Sequence, residues 1–410
     1  MDNISGPPVE GPNFFGRQAE IDWLRETLDH HDVLLLGPRR IGKTSVARAV
    51  LRVQRDAGWR TLELNVASCQ DEGGFLQKLE DALRAESGSL TGQLWDAWKT
   101  RLGSLGQRIA KVNIPVPGVG PIGVDLAQAA RDDWTSLGNE VLGLLAELEQ
   151  RWLIYIDELP IFLFTIVGGD AQHGVARVRR FLDWFRNDVR GLPGSQRVRW
   201  LVSGSVGLDT LVQQHGMADT INTLKQYHLP EFSENAALAL LTALAERYGI
   251  ALAAADKAAL LAGVQWLQPY YIQFAFSQLR QLMAAEPGAP LPGLIDRAID
   301  YMAQPGIDND FHYWEERLFL QLPKTHAQHA VALLTLAAAQ REGTRPESLL
   351  AALQGRTPDA TDDEARALLL HLRDILQRDG YWVPIGAGPQ RRYRFALEPL
   401  RRWWVRRNTL

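Results

Sequence analysis

The sequence lacks the features of secreted and membrane proteins. It contains one cysteine, Cys69, among 410 residues, so an intramolecular disulfide is excluded and a reducing compartment is indicated. Residues 1–8 have no basic segment followed by an apolar stretch, unlike a signal peptide. No apolar run reaches the ~18 residues that would predict a membrane span. We therefore expect a cytoplasmic protein that makes no membrane contact.

A strong excess of basic residues is also absent. The formal net charge is −4, which excludes a protein that coats nucleic acid with its whole surface. Any nucleic-acid contact would need a local basic patch. Hydrophobic residues make up 46% of the chain and charged residues 22%, so a large folded core can form. At roughly 150 residues per domain, this length indicates more than one domain.

The most specific pattern is a phosphate-binding loop at residues 37–44. It matches G-x-x-x-x-G-K-[ST] at every fixed position and lies between an apolar strand pattern at 33–36 and a helical pattern at 43–58. In such a loop the backbone N–H groups bind phosphates, Lys43 contacts the β- and γ-phosphates, and the Thr44 hydroxyl binds Mg²⁺. The motif residues are Gly37, Pro38, Arg39, Arg40, Ile41, Gly42, Lys43 and Thr44.

An acidic pair completes the chemistry that such a loop requires. Asp157 and Glu158 follow a strand pattern at 152–156, and ligands of open α/β sheets bind at the carboxyl ends of strands. We predict that Asp157 holds Mg²⁺ through water and that Glu158 activates the attacking water. Another strand pattern, at 198–202, precedes Ser203, which would sense the γ-phosphate, with Ser205 as the second choice. The alternative for Ser203 is an ordinary polar strand-to-loop junction.

The stretch between Lys43 and Asp157 is longer than one strand and two or three helices need. We predict an insertion around 100–133 that includes a hairpin near 110–125, where Gly and Pro residues forbid a helix. Four helical patterns follow Glu231, and the C-terminal region has the order helix, helix, helix, hairpin. These patterns predict a core with the inserted hairpin at 31–230, a helical domain at 231–322 and a winged helix at 323–410.

Several segments together resemble the archaeal-type ATPases, a group of P-loop ATPases related to the STAND and AAA+ proteins. The matching segments are FFGRQAE at 14–20, GPRRIGKTS at 37–45, LVSGSVG at 201–207, PYYIQ at 269–273 and YRFALEPLRRWW at 393–404, together with Asp157 and Glu158. The resemblance implies an α/β P-loop NTPase core with a parallel sheet and flanking helices, an all-α lid and a C-terminal winged helix.

The resemblance also implies nucleotide contacts outside the loop. Phe15, Gly16 and Arg17, within a leader and linker at 1–30, would lie on the adenine side; Ser45 would end the loop, and Pro269 and Tyr270 would lie near the base or ribose. The lid lacks the usual sensor arginine: Arg280 is the nearest later one, too far along its helix to reach phosphates. An arginine finger cannot be placed. Residues 175–189 have the pattern of a basic amphipathic helix, and a solvated face of that helix explains most of the arginines near Glu158, which are Arg177, Arg179, Arg180, Arg186 and Arg190.

The C-terminal residues 389–410 form a basic stretch, with seven arginines and one glutamate. A basic wing is a common DNA-docking device, but in STAND-like proteins the winged helix also packs on the nucleotide domain and gates it. The candidate recognition helix at 363–378 carries acids that would repel phosphate. Both interpretations stay open. The candidate DNA-binding residues are Arg391, Arg392, Arg394, Arg401 and Arg402.

The function we predict is a Mg²⁺-dependent molecular switch that binds and slowly hydrolyses ATP. The first alternative is an ATP-controlled regulator or loader that binds duplex DNA. The second is a protein-binding adaptor that barely hydrolyses ATP, which the presence of both Lys43 and Glu158 disfavours. Partners would be duplex DNA, another protein or further copies of the chain.

Overall fold

A computed structural model describes residues 1–87, 126–147, 149–204, 207–304 and 310–408. The hairpin predicted near 110–125, most of the predicted insertion, and Ser205 lie outside these residues. The chain divides into two compact units. We call Gln18–Leu36 with Val46–His228 the sheet unit, and Met1–Arg17 with Gly37–Ser45 and Leu229–Leu410 the helical unit.

The sheet unit is built on five strands in the order β2-β3-β4-β1-β5. Every neighbouring pair in this sheet is parallel. The strands are β1 (Asp32–Leu36), β2 (Arg60–Asn65), β3 (Trp152–Asp157), β4 (Val198–Ser203) and β5 (Leu224–His228). This parallel sheet with its helices confirms the predicted P-loop NTPase core.

Burial explains why four of these strands could be recognised in the sequence. Every residue of β1 and β3 is buried, and parallel strands covered on both faces are near-continuous apolar runs. The edge strand β5 was missed because its sequence, LKQYH, is mostly polar and largely exposed. The helices of this unit are α1 (Gln18–Leu28), α2 (Lys43–Asp56, whose first turn belongs to the helical unit), α3 (Glu72–Ser87), α4 (Leu126–Glu147), α5 (Leu159–Gly169), α6 (Gly174–Asp183) and α7 (Leu208–Gln214).

The basic helix predicted over 175–189 is interrupted. After α6 the chain makes a π-helical turn at Trp184–Asp188 and a short α-helical turn at Val189–Gly191. Trp184 and Phe185 are buried at this point, so the turn places two large aromatic side chains in the core. Periodicity alone does not reveal such a change of register.

The helical unit contains the four helices predicted between 234 and 303, and a fifth, at 310–321, that was not predicted. Its helices are α8 (Glu234–Arg247), α9 (Ala254–Val264), α10 (Pro269–Ala285), α11 (Leu291–Met302), α12 (Asp310–Gln321), α13 (Lys324–Ala338), α14 (Pro346–Gln354), α15 (Asp362–Arg378) and α16 (Glu398–Asn408). None of the helices described in the chain is both long and apolar enough to cross a membrane.

A two-stranded antiparallel hairpin lies between α15 and α16. It consists of β6 (Trp382–Ile385) and β7 (Arg392–Phe395), with Trp382 opposite Phe395. An isolated bridge joins Thr344 to Tyr393, so the segment before α14 extends the hairpin by one pairing. The predicted order of three helices followed by a hairpin is therefore present in this region.

Candidate functional site

The phosphate loop has a backbone that its glycines allow. Gly42 has φ +101° and Gly37 has φ +149°, both outside the range that most residues adopt. A Cβ on Gly37 would lie 3.2 Å from the Ile41 side chain and 3.4 Å from the Leu229 carbonyl oxygen, so a side chain would crowd this turn. Arg40 also has a positive φ, of 70°.

Lys43 lies inside this loop. Only 7% of the residue is exposed, and its Nζ donates hydrogen bonds to the carbonyl oxygens of Gly37 (2.7 Å) and Pro38 (2.9 Å). The ammonium group is therefore held over the concave side of the loop by groups that phosphate oxygens can replace. That Lys43 contacts the β- and γ-phosphates stays a prediction.

The predicted adenine-side residues lie together in the helical unit. Arg17 is 3% exposed, donates a 3.3 Å hydrogen bond from Nη2 to the Ile41 carbonyl, and stacks over the Phe232 ring at 4.6 Å. The Phe15 ring lies 6.4 Å from the same ring, and a Cβ on Gly16 would be 3.5 Å from it. Phe232 was not singled out in the sequence, where a lone Phe in a loop carries no signal.

Two arginines of the loop stack on tyrosines of the helical unit. The Arg39 guanidinium lies 4.2 Å from the Tyr313 ring centroid, and that of Arg40 lies 4.3 Å from the Tyr270 ring. Tyr270 was predicted to lie near the nucleotide and follows Pro269, the first residue of α10. Tyr313, on α12, was missed because its helix was not predicted.

The N-terminal leader contacts both the loop and helix α10 of the helical unit. The Ser45 hydroxyl accepts a hydrogen bond from the Val9 amide (3.0 Å), and Arg40 donates to the Gly6 carbonyl (3.2 Å). Nearer the N-terminus, the Ile4 amide donates to the Gln273 side chain on α10 (2.9 Å). The leader thus fixes its position by backbone groups, which a sequence pattern does not reveal.

The acidic residues lie at the carboxyl edge of the sheet. Asp157 ends β3 and Ser203 ends β4, its parallel neighbour. Ser203 Oγ donates a 2.7 Å hydrogen bond to Asp157 Oδ1, and the Glu158 amide donates to the same oxygen at 3.1 Å. The predicted pair of Asp157 and Ser203 is therefore brought together. Whether Ser203 senses a phosphate stays a prediction.

Glu158 has a left-handed backbone, with φ 60° and ψ 33°, and precedes the first turn of α5. For a residue with a side chain, this conformation costs about 1–3 kcal/mol and often marks functional sites. Pro160, in the first turn of α5, approaches Gly204 so closely that a Cβ there would be 2.2 Å from Pro160 Cδ. The end of β4 therefore requires glycine, and this packing supports the turn at Glu158.

The arginines around α6 have partners within the sheet unit. Arg177 bonds to Glu72, Arg179 and Arg186 to Asp219, and Arg190 to Asp32, while Arg180 lies over the Trp134 ring at 5.7 Å. In the helical unit, the Arg280 guanidinium lies 4.1 Å from the Tyr248 ring. The sequence predicted a solvated helix face for most of the arginines around α6, and the structure adds these acidic and aromatic partners.

The C-terminal arginines fall into two groups. Those of α16 bond to acids: Arg401 to Glu398 (2.7 Å), and Arg402 to Glu398 (3.2 Å), Asp296 (2.8 Å) and Asp300 (3.4 Å). The later arginines of α16 also pair, Arg406 with Asp300 and Arg407 with Glu315. Glu398 is 1% exposed. Burial alone would raise its pKa, but hydrogen bonds from the two arginines outweigh burial and lower it.

The arginines of the β6–β7 hairpin differ from those of α16 in their partners. Among the described residues, neither Arg391, Arg392 nor Arg394 forms an ion pair with an acid; Arg392 donates to the Gly343 carbonyl at 3.3 Å. The predicted recognition helix, α15, pairs arginines with its own acids, such as Arg373 with Asp374 at 2.6 Å. It also exposes Leu370.

The residues present suit a magnesium ion more than a softer metal. Mg²⁺ is usually bound by one or two oxygen ligands of the protein together with phosphate oxygens. The predicted ligands are of this oxygen type: Asp157, in the sheet unit, has a carboxylate, and Thr44, in the helical unit, has a hydroxyl. Over the described ranges there is no group of three or more His, Cys, Asp or Glu residues that could hold a metal by themselves.

Comparisons with known proteins agree with this geometry. A family model described as the AAA ATPase domain matches residues 13–162. The sequence matches no curated protein.

Among solved structures, a Walker-type ATPase of Pyrococcus abyssi is similar with a TM-score of 0.62 and 14% identity, over 98% of this chain and 99% of that chain. At this identity, the likeness shows the fold. The ORC2 protein of Aeropyrum pernix in its ADP form has a TM-score of 0.45 and 15% identity, over 94% of this chain and 92% of that chain. Cdc6p of Pyrobaculum aerophilum has a TM-score of 0.42 and 12% identity, over 97% of this chain and 96% of that chain. The resemblance to archaeal-type P-loop ATPases is thereby confirmed, and the chain carries an AAA ATPase domain at residues 13–162.

Proposed function

We propose that the chain is a Mg²⁺-dependent ATPase that works as a molecular switch of the AAA+/STAND type. The observation that carries this proposal is the stacking of Arg39 on Tyr313 and of Arg40 on Tyr270. These arginines belong to the loop that would bind phosphates, and the tyrosines belong to helices of the helical unit. A change at the phosphates therefore has a direct path to those helices.

In this proposal the nucleotide phosphates bind the loop at 37–44 and Ser45, in the first turn of α2. Lys43 exchanges its hydrogen bonds with Gly37 and Pro38 for bonds to the β- and γ-phosphates. The adenine side is formed by Phe15, Gly16 and Arg17, and the base or ribose lies near Pro269 and Tyr270. Aromatic rings and a buried guanidinium suit a flat base.

Mg²⁺, when bound, neutralises charge that develops on the phosphates. The Thr44 hydroxyl and the Asp157 carboxylate would hold it, Asp157 through water. Glu158 orients the attacking water and takes its proton, and its left-handed backbone sets the direction of the side chain. Ser203 belongs to the same edge of the sheet through its bond to Asp157.

The switch follows from competition for the loop arginines. Tyr270 and Tyr313 are half-buried, where a cation–π contact is worth ~1–2 kcal/mol. A guanidinium that forms two or more charge-assisted hydrogen bonds to phosphate oxygens, at ~1.5–3 kcal/mol each, gains more than that. Nucleotide would therefore draw Arg39 and Arg40 off their tyrosines, and loss of the γ-phosphate would return them. Differential contacts of this kind are what bias a two-state protein.

We propose that residues 231–322 form the lid and that residues 323–410 form a winged helix whose wing is the β6–β7 hairpin. The ion pairs of α16 with Asp296, Asp300 and Glu315 support an intramolecular role, because they connect the end of the chain to α11 and α12. On this basis the winged helix acts as a lock on the lid. A protein partner or further copies of the chain would receive the output.

A DNA-binding regulator or loader is the second candidate. The observation that favours it is the set of wing arginines, which have no acidic partner among the described residues. Arg401 and Arg402 are less suited to this role because they already bond to acids.

ATP turnover tests both candidates. Purified protein should release phosphate from ATP with Mg²⁺ but not with EDTA, and the rate should not change with duplex DNA if the winged helix is a lock. Acceleration by DNA would favour the second candidate, and the mass of the particle with ATP or ADP would report assembly. Neither ATP binding nor hydrolysis in the presence of Mg²⁺ would refute the proposal.

A further inference from the structure

Three polar side chains form a hydrogen-bonded chain between neighbouring strands of the sheet unit. Tyr155 and Ser203 are fully buried, and Asp157 is 6% exposed. The Tyr155 hydroxyl lies 2.8 Å from Ser203 Oγ, and Ser203 Oγ lies 2.7 Å from Asp157 Oδ1. These distances are ordinary for O–H···O hydrogen bonds, so both bonds are fully formed.

Chemistry decides the direction of each bond. A carboxylate only accepts hydrogen bonds, so the single hydroxyl hydrogen of Ser203 must go to Asp157. Ser203 Oγ can then only accept from Tyr155, whose hydroxyl donates. The two hydrogen bonds therefore run from Tyr155 to Ser203 and from Ser203 to Asp157, and both hydroxyl hydrogens are donated.

The bonds determine how the Asp157 carboxylate is turned. Oδ1 accepts from Ser203 Oγ and also from the Glu158 amide at 3.1 Å. Two donors on one oxygen restrict rotation about the last side-chain bond, which otherwise has a broad energy minimum. Because these two donors hold Oδ1, the position of the other carboxylate oxygen, Oδ2, is also determined.

We propose that Ser203 is a positioning residue, which holds Asp157 in the orientation in which it binds the hydration shell of Mg²⁺. This inference rests on the proposed ATPase function and gives Ser203 a different role from a γ-phosphate sensor. A sensor donates its hydroxyl hydrogen to phosphate. The hydrogen of Ser203 is already donated to Asp157, and the side chain is fully buried.

Outer partners of a metal-binding side chain typically change metal affinity by ~10–100-fold when they are removed. The Ser203→Ala variant removes the donor to Asp157, and it also breaks the hydrogen bond between Ser203 and the buried Tyr155 hydroxyl. It should therefore lose both Mg²⁺ affinity and stability. The Tyr155→Phe variant keeps the donor to Asp157, so its Mg²⁺ affinity should stay within about twofold of wild type.

The double variant Tyr155→Phe with Ser203→Ala separates positioning from structure. It removes both partners of the Tyr155–Ser203 hydrogen bond rather than one, so its melting temperature should rise above that of Ser203→Ala. Its Asp157 still lacks the donor, so its Mg²⁺ affinity should stay about tenfold below wild type. If the three side chains had only a structural role, the double variant would regain both the melting temperature and the Mg²⁺ affinity.

The experiment is a titration of Mg²⁺ into the full chain with a fluorescent ATP analogue, beside a binding curve for the same analogue in EDTA. We expect unchanged affinity in EDTA for all variants, and weaker Mg²⁺ dependence only in the two variants that carry Ser203→Ala. Wild-type Mg²⁺ dependence in both would overturn the inference. Discrimination between ATP and ADP that is lost equally with and without Mg²⁺ would instead identify a sensor and also overturn it.

Failure of the proposed function gives a different result. Wild-type protein that binds no ATP analogue in either condition would refute the ATPase proposal and, with it, the role given to Ser203. Wild-type protein that binds the analogue with Mg²⁺ dependence, beside variants that behave like it, would refute the positioning role alone.

Discussion

The phosphate loop and the basic C-terminal stretch were both recognised from short pieces of sequence, but the structure treats them differently. The loop residues 37–44 stay together and form one backbone turn with Lys43 inside it. The seven arginines of 389–410 separate into a paired group on α16 and a group on the hairpin without acidic partners among the described residues. One pattern predicts a site, and the other predicts only a charge.

The difference has a physical cause. A phosphate loop acts through its own backbone N–H groups, so its function is contained in consecutive residues. The effect of an arginine depends on which acid lies near it. Besides Glu398, four residues away, Arg402 binds Asp300 and Asp296, which lie 102 and 106 residues away in sequence. A local charge count therefore cannot separate a nucleic-acid surface from an intramolecular ion-pair network.

The largest effect should come from the loop. Lys43→Ala removes a cation that would bond to the β- and γ-phosphates, and each charge-assisted bond is worth about 1.5–3 kcal/mol. We expect ATP affinity to fall roughly 10²–10⁴-fold in isothermal titration. The exposed Lys324 provides the control, because Lys324→Ala removes the same charge elsewhere and should bind as wild type. Wild-type affinity in the Lys43 variant would remove the distinction between the two regions.

The next effect concerns catalysis at the sheet edge. Glu158→Gln keeps the shape of the side chain but removes the base, so ATP binding should persist while turnover falls at least ~10²-fold. Phosphate release under saturating ATP measures this. The exposed Glu234→Gln is the matched control. A fall of less than about threefold would assign Glu158 to capping and leave the water-activating group elsewhere.

A smaller effect should test the paired arginines. Glu398→Gln removes the charged acceptor of Arg401 and Arg402 inside the helical unit and should lower the free energy of unfolding by about 1–3 kcal/mol. Tryptophan fluorescence in urea measures the change, with the exposed Glu342→Gln as control. An unchanged midpoint would mean that these ion pairs do not stabilise the unit, and would weaken the contrast with the hairpin.

The same residue predicts a pH dependence. The pKa of Glu398 in the folded chain lies below its ordinary value of 4.5. The contribution of Glu398 to the free energy of unfolding is therefore complete above pH 4.5. The contribution should be lost as the pH falls through the lower folded-state pKa. Urea midpoints of wild type and Glu398→Gln should therefore differ at about pH 6, above the ordinary pKa of a glutamate, and converge in stronger acid. A constant difference at all pH values would contradict this.

The smallest and most discriminating effect concerns the hairpin. If the wing binds duplex DNA, replacing Arg391, Arg392 and Arg394 by Ala should weaken binding and flatten its salt dependence by ~0.9 for each phosphate that is no longer neutralised. ATP binding should not change. Alanine at Arg406 and Arg407, which already pair with acids, should leave the salt slope as it is. Absence of wild-type DNA binding at ~50 mM salt, with ATP and with ADP, would remove DNA as a partner.

Much of the fold follows from local sequence. The buried strands β1 and β3 are apolar because both faces are covered, and the four helices from 234 to 303 follow a helical period. Strand β5 was missed because a polar edge strand gives little signal. Helix α12 was missed although Phe311, Trp314 and Leu318 form a buried stripe, because the exposed Phe319 and Leu320 obscure its period. The helix at 175–189 was predicted, but its π-helical turn was not.

Consecutive residues are enough to specify the chemistry of the site. The loop at 37–44 and the pair Asp157 and Glu158 were predicted from their spacing, and the match to the AAA ATPase domain covers both. Folding selects the distant groups that complete that chemistry: Phe232 beneath Arg17, Tyr313 beneath Arg39, and Tyr155 behind Ser203. Folding also determines which of the arginines form ion pairs with acidic side chains. These contacts join residues far apart in the chain, and their distances are set only when the chain is folded.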